Sequence, residues 1–192
     1  MILSIGAFLR VGLLLLLAVI LQLSAISQIG MLGGHADVVV LAVAAVAFYG
    51  GSVSGSAAGF TAGLLLDLLS GATMGASSLV LTAVGYAVGR YREIRDPSHG
   101  LLPLAVGAAG TAGWVLGFAA VSLMLDIGAR MSPLLIRETL VTILLNALLA
   151  LPVFTGVRKL LRPSLAFDPR ERRRHRRPPP EAGPLGLRGS AV

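Results

Sequence analysis

The chain has 192 residues, of which 55 % are apolar and only 13 % charged, with a formal net charge of +7 and no cysteine. A soluble domain carries about a quarter charged residues, so the mean hydropathy of +0.84 excludes that class and identifies an integral membrane protein. Without cysteine there is no disulfide framework, thiolate metal site or thiol nucleophile.

Breaks in the apolar pattern predict six helices, at about 8 to 29, 36 to 49, 53 to 69, 75 to 91, 101 to 125 and 134 to 160. A span needs about 20 mainly apolar residues. The expected fold is therefore an all-α membrane protein of about six transmembrane helices. The first segment ends near a loose small-residue site, Ala25-Ile26-Ser27, but further spans follow it, which favours an uncleaved first helix. Gly50-Gly51 and Ser70-Gly71 punctuate the second to fourth helices. These are short, and residues 36 to 69 read either as two thin helices or as a re-entrant pair.

Charge gives the orientation. Arg90, Arg92 and Arg95 follow the fourth helix, and Arg158, Lys159 and Arg162 the sixth. Positive clusters face the cytoplasm, and Arg10 puts the N-terminus on the same side, so both termini are expected inside. Residues 1–162 form the membrane domain. Residues 163–192 are poor in large apolar side chains and are expected to be a disordered basic, proline-rich tail. Its arginines (Arg170, Arg172, Arg173, Arg174, Arg176 and Arg177) are expected to contact anionic lipid rather than nucleic acid.

Within the third helix Gly51, Gly55, Gly59 and Gly63 recur every four residues, and Asp67 continues the row towards Gly71 and Gly75. Four residues turn a helix by roughly 400°, so the row drifts only ~40° per step. Such a face lets backbones approach closely, which in lipid replaces the missing hydrophobic drive. It is expected to be a helix-packing or partner-binding surface. Asp67 has three possible roles: accepting hydrogen bonds from a neighbouring helix or the following turn, contacting a partner, or holding an ion or substrate. Gly85/Gly89 and Gly113/Gly117 repeat the spacing.

On the sixth helix Glu138, Thr142 and Asn146 form a polar strip at i, i+4 and i+8, expected to face protein as glue between helices or as a pocket wall. Pro152 is expected to kink the same helix, and Asp126 and Arg130 to form a solvated pair at the outer surface. No HExxH, GxxxxGK[ST] or serine elbow is present. The three histidines (His35, His99, His175) lie far apart in sequence, so neither catalysis, a metal nor a cofactor is expected.

The block Gly59-Phe60, Gly63-Leu64, Asp67, Ser70-Gly71, Gly75, followed by Gly85-Tyr86 and Gly89, together with the ending from Glu138 through Asn146 to Pro152, resembles the bacterial rod shape-determining protein MreD family over roughly residues 10 to 163. Ala36 stands before Asp37 where that family's pattern suggests proline, and the arginine tail lies outside the resemblance. The resemblance implies a non-enzymatic inner-membrane subunit working with MreC, the actin-like MreB and the RodA–class-B penicillin-binding-protein pair. It also implies a fold similar to the S components of energy-coupling-factor vitamin transporters, so a substrate-binding transport subunit is the alternative. S components carry an Ala-xxx-Ala docking motif in their first helix, and this first helix lacks it.

Overall fold

The computed structural model describes residues 5–26, 35–71, 73–94, 102–124 and 133–165, and among these all regular structure is helical. The six helices are α1 (Ile5–Leu21, extended by a π-helical stretch, Gln22–Ile26), α2 (Val38–Gly50), α3 (Ser52–Ser70), α4 (Ala76–Ile94), α5 (Leu102–Met124) and α6 (Pro133–Leu165). The arginine tail, Asp126, Arg130, His99 and His175 lie outside the described residues.

α2 is the axis of the bundle. Every residue from Val39 to Phe48 is buried, and α2 touches each of the other five helices. A helix that is apolar all round belongs inside, and no polar side chain interrupts this stretch. Its 13 residues reach only about 20 Å, against a hydrocarbon core of about 30 Å. Encasement by its neighbours is what permits the short length. α3, α5 and the Arg137–Leu161 part of α6 are long and apolar enough to cross a membrane on their own, while α1 and α2 are shorter apolar helices.

Gly51 alone connects α2 to α3, using a φ of +86° that disfavours side chains. Gly71 ends α3 in the left-handed region at φ +66°, the usual helix-terminating conformation for glycine. α3 and α4 come out longer than the apolar pattern suggests, because their polar ends stay helical. α6 starts at Pro133, where a missing N–H costs nothing, and runs unbroken through Pro152 to Leu165.

The turn at Gly51, the end of α4 with Arg90 and Arg92, and the end of α6 with Arg158 share one end of the bundle. This basic end carries a cluster of Phe48, Tyr49 and Phe154, with ring centroids 5.3 to 6.2 Å apart. The α3–α4 turn and the start of α2 lie towards the opposite end.

Candidate functional site

Gly55, Gly59 and Gly63 form the contact between α3 and α4. A Cβ on Gly59 would collide with the Leu81 carbonyl, one on Gly63 with the Ser78 backbone and one on Gly55 with the Gly85 carbonyl. Gly85 and Gly89 answer from α4 against Gly55 and Ser52. The row is therefore covered by the chain's own next helix and is not an open surface for a partner.

Three glycines grouped with that row do a different job. Gly71 and Gly75 have positive φ, and nothing lies within 4 Å of where their side chains would begin. They are turn residues. Gly51, also at positive φ, faces Glu93. Four-residue spacing alone does not separate a packing glycine from a turn glycine.

Asp67 is buried, 2 % exposed, and closes the start of α4. The Gly75 N–H donates to its Oδ2 at 2.8 Å and the Ser77 N–H to its Oδ1 at 3.3 Å. The first N–H groups of a helix have no partner within it, and in lipid no water replaces one. A carboxylate there also meets the positive end of the helix dipole. At the other end of the hairpin the arrangement is returned: Glu93 of α4 closes the start of α3. The Ser52 N–H and hydroxyl donate to Glu93 Oε1 at 2.9 and 2.7 Å, and Arg90 pairs with Oε2 at 3.3 Å. Glu93 lies beyond the apolar part of α4, and the Ser52 N–H, then its hydroxyl, then Arg90, hold its carboxyl below the usual carboxylate range.

The start of α2 is closed in the same manner by two other helices. The Asp37 N–H donates to Asn146 Oδ1 at 2.9 Å, and the Val38 N–H to Gln22 Oε1 at 2.8 Å. Gln22 Nε2 then donates to Asp37 Oδ1 at 2.9 Å. Asn146, fully buried, also donates from Nδ2 to the Thr111 hydroxyl at 3.1 Å, which in turn donates to the Gly107 carbonyl at 2.8 Å. Thr142 accepts from the His35 N–H at 3.1 Å. The strip on α6 thus serves the chain entering α2. Glu138, one turn further out and half-buried, has no hydrogen-bonding partner among the described residues.

The sequence alone does not single out Gln22, Asp37 or Glu93. A lone amide ending an apolar run was the available signal for Gln22. Glu93 is indistinguishable in sequence from a solvated charge.

Above the start of α2 a recess of about 250 Å³ is bordered by Gln22, Asp37, Leu66, Ser77, Trp114 and Phe118, with the last two rings 5.3 Å apart. A second, apolar groove of about 370 Å³ runs between α4 and α5 past Val84, Val88, Leu102 and Gly113. Among the described residues no group of three or more potential metal-ligating side chains comes together, and the carboxylates of Asp67 and Glu93 are committed to helix ends.

No curated protein and no solved structure matches the chain. The family model described as rod shape-determining protein MreD matches residues 3–163, nearly all of the helical bundle. The chain belongs to the MreD family.

Proposed function

We propose that this protein is a non-enzymatic scaffold subunit of the machinery that extends lateral peptidoglycan during rod-shaped growth. In this reading it lies in the bacterial inner membrane with its basic end and both termini in the cytoplasm. It binds an MreC-like single-span partner, and through it RodA, a class-B penicillin-binding protein and, indirectly, an MreB-like actin. The family match over residues 3–163 carries the reading. Supporting it, the buried polar groups are used to close helix ends, which suits a rigid support better than a reaction centre.

Because α4 covers the glycine row, the partner needs another surface. The recess beside Asp37 is the best suited: it combines polar groups with an aromatic wall, where a purely lipid-facing surface would be apolar. The transport alternative would place a small molecule in the same recess.

The deciding experiment is affinity purification from native membranes in mild detergent, with a tag after Val192 and mass spectrometry of what co-purifies. MreC-like and RodA-like proteins are expected, and Trp114→Ala is expected to reduce their recovery. Recovery of a transporter T component with its ATPases, or of a tightly held vitamin, would overturn the scaffold reading.

A further inference from the structure

At the basic end, two arginines from different helices meet one aromatic cluster. The Arg92 guanidinium of α4 lies over the Phe48 ring, 5.9 Å from its centroid. Arg158 follows Phe154 by one turn of α6, and Phe154 packs on both Phe48 and Tyr49. Among the described residues the nearby acid, Glu93, is taken by Ser52 and Arg90. Among the described residues neither Arg92 nor Arg158 has an ion pair, and Arg92 Nε is buried without a hydrogen-bond partner.

An arginine near a helix end ordinarily extends its head to water. Arg92 instead lies on Phe48, with an N–H donor turned inward. Two like charges held against an apolar cluster, with no counter-charge among the described residues, make an incomplete site. What completes it is an anion able to accept hydrogen bonds from both guanidinium groups, and phosphate oxygens suit that geometry. Basic pockets between membrane helices are where anionic headgroups settle.

We propose that Arg92 and Arg158, at the edge of the Phe48, Tyr49 and Phe154 ring cluster, form a phosphate-binding site occupied by the headgroup of an anionic phospholipid. The site lies within the helical bundle, is independent of the arginine tail, and does not depend on the scaffold reading. The lipid would tie the ends of α2, α4 and α6 together, making stability of the basic end a function of membrane composition.

The test is thermal unfolding of the full chain in nanodiscs of phosphatidylcholine, alone or with increasing phosphatidylglycerol, for the wild type, Arg158→Gln and Arg92→Gln/Arg158→Gln. Phosphatidylglycerol is expected to raise the wild-type unfolding temperature. Each near-surface arginine is worth about fivefold in anionic-lipid affinity, so the half-effective fraction should rise about fivefold for Arg158→Gln and about twenty-five-fold for the double variant. In phosphatidylcholine alone the double variant should lose only the Arg92–Phe48 contact and so melt close to the wild type. Arg158 is exposed, so its single variant keeps the test readable if the double variant does not fold. Equal stabilisation of wild type and variants by phosphatidylglycerol would overturn the site, as would equal destabilisation of the double variant with and without that lipid. Stabilisation of the wild type, but not the double variant, by inorganic phosphate in phosphatidylcholine discs would assign the site to a soluble phosphate and overturn the lipid assignment.

Discussion

Between α3 and α4 the backbones touch; between α4 and α5 they do not, although α5 also carries glycines, at 107, 110, 113 and 117. On α3, side chains at positions 55, 59 and 63 would strike the backbone of α4. On α5, a Cβ at Gly113 would rest at 3.5 Å from a Val84 methyl, an ordinary contact, and one at Gly117 would meet only the Val80 side chain, a methyl at 2.6 Å, not backbone; an open groove separates the two helices further along. Small residues permit close approach without enforcing it. The α3–α4 pair differs in having small residues facing each other in register and a carboxylate at each end, closing the partner helix. One side of α4 is a fixed clasp and the other an adjustable seam.

The largest expected effect breaks the clasp. Gly59→Leu should abolish folding, and even Gly59→Ala should reach or exceed the upper end of the roughly 1–3 kcal/mol typical of overpacking, since the Leu81 carbonyl cannot move without distorting α4. Gly113→Ala on the seam should be neutral or stabilising, by up to about 1 kcal/mol from helix propensity. Thermal unfolding of both variants in one lipid composition checks the contrast, and equal losses would erase it.

Asn146→Ala is next. It leaves the part-buried Asp37 N–H and the buried Thr111 hydroxyl short of a partner, at about 1–3 kcal/mol for such a group, and denaturant or thermal unfolding should show it. Asp67→Ala, which removes one cap, should cost about 1–2 kcal/mol. A loss within a few tenths of a kcal/mol would mean that water already serves the start of α4.

The smallest effect is a pH dependence at the basic end. The folded-state pKa of Glu93 is lowered from its ordinary value of 4.5, so its contribution is present in full above that value and fades as pH falls through the lowered folded pKa. Glu93→Gln should flatten the acid limb of the stability profile and leave the neutral region less changed. An unchanged acid limb would show that Glu93 plays no part in it.

Much of the helix layout is legible in the sequence, because hydropathy responds to the solvent, and here lipid surrounds the bundle. The α3 row is legible because its spacing is local. What covers it is not: Gly55 and Gly85 are thirty residues apart, and nothing in one sequence pairs them. Asp67 is half legible, since a buried acid in lipid requires donors, but the choice of Gly75 and Ser77 depends on how the turn folds back. Gln22, Asp37 and Glu93 acquire their roles only when another helix end arrives beside them. Gly71 and Gly75 show the opposite failure, a spacing that fits the packing motif in residues needed for positive φ.

The central claim is that buried polar side chains in this bundle close the starts of neighbouring helices. Amide hydrogen exchange at Gly75 and Ser77, compared between the wild type and Asp67→Ala in the same nanodiscs, tests it most directly. The account predicts both amides protected in the wild type and fast-exchanging in the variant, while the Ser52 amide, held by Glu93 at the far end, stays protected. Fast exchange at Gly75 and Ser77 in the wild type, or no change on removing Asp67, would contradict it.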